Sequence, residues 1–377
     1  MRDRRLLPIG VLLAVALAAA LAFLAIPRSA PLAVADTLFA LSKAAPEVLR
    51  LGPDGRVLAR ARPAERPAKL VLAAALDGSA PPRAIVSAAT GATLTSYDAA
   101  TLGDPNARAL DLRPNLLSPS PTGRHLAVGD TGAGVVVLLD AVDLREVARA
   151  TGLRGAHDLR FSEAGDRLFV STLGAGRLVA LDGKTLAHEQ STVIAGLPHG
   201  IDHTVRTPDG SLGLVVSPAV ARITPVALNS LAPQPAIALP SPPARAFVGA
   251  LGETAWLPAA GAPELHRLDL VGGTVNTTAL PATARTLSPE PFADTLLVAT
   301  LSGLVRVDAD GAVVEAQALQ NPVTRILPIE GAVLSLLIHA DGSVSRQGAH
   351  TPLGPEALSA PKVFAASTAH ALAFCHN

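Results

Sequence analysis

The chain has 377 residues, of which 49% are hydrophobic and 16% are charged, so it can bury a large core and is not globally disordered. Its 31 Lys and Arg residues balance its 31 Asp and Glu residues, which leaves no overall charge to attract nucleic acid or an anionic membrane. One Tyr and one Trp are too few to stack bases, so we predict no nucleic-acid partner.

The first 35 residues have the pattern of an export signal. The positively charged start "MRDRR" precedes an apolar run from Leu6 to Ile26, and "AVA" at Ala33 to Ala35 offers a cleavage site. The run is about 20 residues long, which is also enough to cross a bilayer uncleaved. We predict a cleaved signal peptide over residues 1–35, with a retained N-terminal anchor as the alternative. Either reading places residues 36–377 in the periplasm or outside the cell, with membrane contact only through that anchor.

After this segment, short apolar runs recur along the whole chain. The first run of each unit ends at a turn residue, and these markers are 37 to 45 residues apart. The markers are Gly78, Gly123, Gly165, Gly210, Gly252, Asp294 and Gly331. The runs lack the 3.6-residue periodicity of helices and are interrupted by Gly, Asp and Pro, which indicates strands.

A second marker is a Pro or small residue before the first strand of each unit, where a missing backbone donor does no harm. Eight such positions occur: Pro67, Pro114, Ala156, Pro198, Pro243, Pro281, Pro322 and Pro361. Four short strands in a unit of this length are typical of a β-propeller blade. The sequence therefore predicts an all-β fold, a β-propeller of eight four-stranded blades, with seven blades as the alternative.

The two ends of the chain complement each other. "TLFALSKAAPEVLRLGPDGRVL" near the N-terminus resembles "TLLVATLSGLVRVDADGAVV" at residues 295–314, which reads as the second to fourth strands of a blade. The C-terminal "PKVFAAS" is then the missing first strand. We predict that residues 36–377 form one domain, a ring closed by N- and C-terminal strands, because closure protects sheet edges from aggregation.

Two stretches carry a family resemblance. "AHDLRFSEAGDRLFVSTLGAGRLVALDGKTL" and "LPHGIDHTVRTPDGSLGLVVS" resemble the YVTN-type β-propeller repeat, with its P-H-G-I-A-V-S-P-D-G pattern and following V-x-V-I-D strand. The match is good over residues 150–220 and fair over 110–150 and 285–315, and the namesake strand differs ("LFVST", "LAVGD"). The resemblance implies a ring around a central channel. Quinoprotein-like and lactonase-like relatives include binding scaffolds, lactonases and subunits of dehydrogenases or cytochromes, so the fold does not choose a function.

The inner strands of a propeller line its channel, so the residues after each Pro marker are the candidate site. The candidate ligand-binding residues are His157, His199, His203, Arg206, Arg245, Arg285 and Arg325. Lys69, Asn115, Asp158, Asp202 and Lys362 occupy the same level. Arginine donates a fork of hydrogen bonds that suits carboxylate or phosphate, which predicts a basic channel mouth. The alternative is that these side chains only bond neighbouring blades.

The chemistry of the site stays open between three functions. The sequence has no nucleophile elbow, H-E-x-x-H, Walker or C-x-x-C-H motif, and its single Cys375 cannot form a disulfide within the chain. We therefore predict an exported, non-enzymatic scaffold that binds a small anion or a protein partner, without a cofactor. The histidines also suit a metal, so one alternative is a lactonase-like or metal-assisted hydrolase. Another is a redox-associated propeller subunit whose cofactor lies in a partner.

Overall fold

The computed structural model describes residues 38–42, 46–52, 57–74, 81–249, 252–290, 295–327, 335–341, 343–347 and 361–365. These residues form eight separate antiparallel sheets that follow one another around a ring. The all-β, eight-bladed propeller is confirmed, and the seven-blade alternative is wrong. The predicted signal peptide, its alternative anchor and Cys375 lie outside the described residues. Within them, no helix is long and apolar enough to span a membrane.

Blade 1 combines both ends of the chain. It contains β1 (Leu38–Ser42), β2 (Val48–Leu51) and β3 (Val57–Ala61). The inner strand β32 (Pro361–Ala365) pairs antiparallel with β1 and places Val363 opposite Ala40. The predicted closure of the ring by a C-terminal strand is confirmed.

Blades 2 to 8 use consecutive strands, and the first strand of each is innermost. Blades 2, 3 and 4 contain β4 (Pro67–Ala73), β5 (Arg83–Ala88), β6 (Thr93–Asp98), β7 (Asn106–Ala109); β8 (Leu116–Pro119), β9 (His125–Asp130), β10 (Val135–Asp140), β11 (Glu146–Ala150); and β12 (Ala156–Phe161), β13 (Arg167–Thr172), β14 (Arg177–Asp182), β15 (His188–Val193). All eight Pro or small-residue markers lie at the start of an inner strand or within five residues before it.

Blades 5 and 8 are less regular, and blade 8 has three strands among the described residues. Blades 5 and 6 contain β16 (His203–Arg206), β17 (Leu212–Val216), β18 (Arg222–Ala227), β19 (Ala232–Pro233), β20 (Ile237–Ala238); and β21 (Phe247–Val248), β22 (Thr254–Pro258), β23 (Glu264–Asp269), β24 (Val275–Ala279). Blades 7 and 8 contain β25 (Ala284–Pro289), β26 (Thr295–Thr300), β27 (Gly303–Asp308), β28 (Val313–Ala318); and β29 (Val323–Leu327), β30 (Leu336–His339), β31 (Val344–Arg346). The outer edge of blade 5 is split, since both β19 and β20 pair with β18.

The hydrophobic core is divided among the blade interfaces. Leu138 of blade 3, for example, belongs to the same buried cluster as Leu159 and Leu168 of blade 4. Aliphatic side chains dominate because aromatic residues make up only 3% of the chain. Burying one such side chain contributes about 2 kcal/mol, so each blade is stabilised mainly by its two neighbours.

Two kinds of turn explain the repeated sequence markers. Gly165 and Gly210 end the first hairpin of their blades with φ of 72° and 70°, a left-handed conformation that glycine adopts without strain. Gly78, Asp294 and Gly331, the equivalent predicted markers, lie outside the described residues. The recurrent Asp starts the second kind of turn, in which Asp140 Oδ1 accepts the backbone N–H of Val142 at 2.8 Å.

A buried leucine completes this second turn. Leu144 is fully buried and has a φ of 57°, which costs about 1 to 2 kcal/mol for a residue with a side chain. Its burial contributes about 2 kcal/mol, enough to offset that strain. Leu102, Leu186 and Leu231 repeat the conformation in blades 2, 4 and 5.

Candidate functional site

The blades share one strand order, so all inner strands run in the same direction along the channel. We call the end where they begin the channel mouth, and the other the opposite end. Most of the predicted site residues come at the start of an inner strand. This topology places side chains that are distant in sequence around one opening.

Two histidines converge on one carboxylate at the mouth. His203 Nδ1 lies 2.8 Å from Asp202 Oδ2, and His157 Nε2 from the neighbouring blade lies 3.5 Å from Asp202 Oδ1. The side chain of His203 is only 8% exposed, whereas those of His157 and Asp202 are 30% and 27% exposed. We call these three residues the imidazole side of the mouth.

The charges of these residues stabilise one another. Burial raises the pKa of Asp202, but hydrogen bonds with His157 and His203 outweigh it and hold the pKa well below its usual range. The hydrogen bond that His157 donates to Asp202 raises the pKa of His157 despite the opposing effect of burial. Asp202 is therefore a carboxylate, and the positive form of His157 is favoured.

Two arginines form the guanidinium side of the mouth, Arg245 before β21 and Arg325 on β29. Both are half-buried. Burial lowers the pKa of Arg245, which the negative charge of Asp202 partly offsets. Burial also lowers the pKa of Arg325, and the positive charge of Arg245 lowers it further. Two like charges thus lie close to each other, and Asp202 is the nearby carboxylate.

Arg245 differs from the other charged groups of the mouth in its bonding. Among the described residues it makes no hydrogen bond and no ion pair, although its guanidinium carries five donors. Asp202, which attracts it, is engaged by the two histidines. The guanidinium side therefore presents donors in a partly dehydrated setting where charge-assisted hydrogen bonds are strong.

Lys69 adds a further positive charge beside the imidazole side. Its Nζ donates to the carbonyl oxygen of Asn115 at 2.5 Å, across the interface between blades 2 and 3. Its charge opposes protonation of His157, which places it within electrostatic range. Asn115 itself is used locally, since its Oδ1 accepts the backbone N–H of Thr131 at 3.1 Å. Lys362 lies on β32, the inner strand of blade 1.

Arg285 and His199 are placed differently from the rest. Both are exposed. Arg285 is the inserted residue of a β-bulge, because Ala284 and Thr286 pair with adjacent residues of β26. In blade 8 the inserted residue is Thr324, and Arg325 comes after it. His157 is likewise the inserted residue of a bulge in β12, so Arg285 and His157 hold equivalent positions in their blades, whereas Arg325 comes one residue later.

Arg206 lies away from the mouth, at the far end of β16, near Arg160 and Glu163. The structure thus brings His157, His203, Arg245 and Arg325 together and leaves Arg206 apart. Sequence reasoning placed Asp202 at the level of the candidate site but missed its role as the shared partner of two histidines. The contact with His157 depends on the packing of blades 4 and 5, so the sequence carried no local signal for it.

The described residues of the mouth do not form a cluster of metal ligands. Within the described ranges, no three or more His, Cys, Asp or Glu side chains are arranged to hold a metal ion. His157 and His203 both direct a ring nitrogen at Asp202. The arrangement can hold an anion by charge and hydrogen bonds, and it can hold a proton on a histidine beside it.

Comparisons with solved structures support the propeller fold and go no further. No family model and no curated protein matches the chain, so membership of the YVTN-type family stays a prediction. The structure of dihydro-heme d1 dehydrogenase NirN in complex with DHE matches with a TM-score of 0.71 and 18% identity, covering 90% of this chain and 77% of NirN. BamB from Moraxella catarrhalis matches with a TM-score of 0.62 and 15% identity, covering 82% of this chain and 91% of BamB. At these identities the likeness supports a shared propeller fold alone.

Proposed function

We propose that the protein is an exported, non-enzymatic propeller that binds a small anionic molecule at its channel mouth. The observation that carries this proposal is Arg245, a half-buried guanidinium without a hydrogen bond or ion pair among the described residues. The charge of Arg325 nearby makes the pairing of both groups with an external anion more favourable. Export rests on the N-terminal signal pattern.

Carboxylate-bearing ligands fit this arrangement best. A carboxylate accepts two parallel hydrogen bonds from one guanidinium, and the second positive charge beside Arg245 suits a ligand with two carboxylates. Asp202 does not satisfy this need, because His157 and His203 already bond to it. NirN is described with DHE bound, which makes an acidic tetrapyrrole a reasonable member of the ligand class to test.

Titration of the full chain tests the proposal. Oxalate binding is followed by calorimetry, and binding of protoporphyrin IX, a tetrapyrrole with two carboxylates, by absorbance. We expect at least one to bind and the affinity to fall when salt is raised, since salt screens exposed charges. Binding that is unchanged in a variant carrying both Arg245→Met and Arg325→Met would show that the mouth is not the site. If neither probe binds, a protein partner becomes the leading alternative.

A hydrolase is the second candidate, and the convergence of His157 and His203 on Asp202 favours it. A carboxylate that orients a histidine is the usual arrangement of a general base. A lactonase-like activity predicts hydrolysis of simple lactones by the purified chain, lost in His157→Gln. The redox-associated alternative has weaker support, because it rests on the family resemblance and on the name of NirN, to which the chain is 18% identical.

A further inference from the structure

We propose that the opposite end of the channel holds a second, separate oxyanion site, built from Arg160 and Arg206. The two residues come from adjacent inner strands, β12 and β16. Asp158 Oδ2 accepts the backbone N–H of Thr204 at 3.4 Å between these strands. Arg160 and Arg206 each follow two residues later, and side chains two apart lie on the same side of a strand. The two guanidinium groups therefore come side by side.

Arg206 has an unmet requirement for an acceptor. Its side chain is half-buried, and Nη1 is shielded from solvent without a hydrogen-bond partner. Such a donor is unfavourable until it is satisfied. Burial lowers the pKa of Arg206, and the effects of Glu163 and Arg160 oppose each other. Glu163 is exposed and forms no ion pair with Arg206.

The other acids near this end already have partners. Asp158 forms an ion pair with Arg160, with Oδ1 3.2 Å from Nε. Asp166 in the adjoining hairpin accepts a hydrogen bond from Ser162. Glu163 is the remaining carboxylate whose charge acts on Arg206, and it is exposed. Two neighbouring guanidinium groups, one with a buried donor that has no hydrogen-bond partner, suit a small oxyanion of the phosphate or carboxylate type.

This site is distinct from the mouth. His203 and Arg206 are the first and last residues of β16, and at about 3.3 Å per residue their Cα atoms are about 10 Å apart. One small oxyanion cannot contact both groups. The channel therefore offers two anion sites, one at each end, formed by different arginines.

The experiment titrates inorganic phosphate into the full chain carrying both Arg245→Met and Arg325→Met. These substitutions remove the arginines of the mouth, so phosphate binding there does not contribute. Binding is read from the ³¹P line width. Adding Arg206→Met to this background should weaken phosphate binding about tenfold or more, as expected for a lost charge-assisted hydrogen bond. Adding Arg206→Lys should restore part of it, because lysine keeps the charge but not the fork.

Arg145→Met in the same background is the matched control, since Arg145 is exposed and lies in the turn between β10 and β11, away from the inner strands. Thermal unfolding checks that each variant is folded. Phosphate binding that survives Arg206→Met in a folded protein would overturn the second site. If the mouth proposal alone fails, wild-type phosphate binding is unaffected by the two mouth substitutions but is still lost with Arg206→Met.

Discussion

The two sides of the channel mouth handle charge in opposite ways. On the imidazole side, Asp202 lies between His157 and His203, and each charge has a partner within the protein. On the guanidinium side, Arg245 and Arg325 lie close together, and Arg245 has no partner among the described residues. The two sides therefore have separate roles, since a satisfied network fixes structure whereas the unbonded donors of Arg245 are available to a ligand.

Removing the guanidinium side should have the largest effect. The double variant Arg245→Met and Arg325→Met should weaken oxalate binding about 100-fold, because each lost charge-assisted hydrogen bond contributes about 1.5 to 3 kcal/mol. Its stability should not fall, because burial of both guanidinium groups is unfavourable. Calorimetry and urea unfolding measure the two effects. Arg145→Met, an exposed arginine in the turn between β10 and β11, should change neither, and a loss of binding in that variant would show that the effect is not specific to the guanidinium side.

Asp202→Asn tests the imidazole side. Because the pKa of Asp202 is lowered in the folded protein, its carboxylate stabilises the fold above about pH 4 and loses this effect as the pH falls. The substitution should reduce the free energy of unfolding by about 1 to 2 kcal/mol at neutral pH, with a smaller difference in acid. Urea unfolding at both pH values measures this. A variant as stable as the wild type would mean that the imidazole side does not stabilise the fold.

Arg245→Lys asks whether geometry or charge matters on the guanidinium side. Lysine retains the positive charge and loses the planar fork. Oxalate affinity should therefore fall about tenfold, between wild type and the methionine variant. Calorimetric titration of Arg245→Lys beside Arg245→Met gives the comparison. Equal affinities for wild type and Arg245→Lys would indicate simple charge attraction and no bidentate contact.

The repeated strands could be predicted from sequence because their markers have local causes. Gly165 supplies a left-handed turn, Asp140 caps the next turn, and Pro67 begins an inner strand. Each of these depends on a few neighbouring residues, so the blade count and the closing C-terminal strand followed from pattern alone. The left-handed Leu144 did not follow, because its strain is offset by burial against another blade, which a local pattern does not show.

The site was harder to predict because bulges decide where side chains point. Arg285 and Arg325 are 40 residues apart and both follow a Pro marker, yet the first is exposed and the second half-buried. Arg285 is the inserted residue of its bulge, as His157 is in blade 4, whereas Thr324 takes that place before Arg325, so the two arginines hold different positions on their strands. The partnership of Asp202 with His157 depends on contact between blades 4 and 5. Neither feature leaves a local signal in the sequence.

The smallest expected effect connects the two sides through His157. Its pKa is raised by the hydrogen bond with Asp202, with Asp158 assisting and with burial and Lys69 opposing. The positive form adds to the field that attracts an anion, and this contribution is lost as the pH rises through that raised pKa. Oxalate is a dianion throughout, so its affinity should fall a few-fold between about pH 6 and about pH 9. His157→Gln should bind as the wild type does at the upper pH and show a flat profile. A wild-type profile that is equally flat would mean that the imidazole side does not influence the ligand and that only the arginines do.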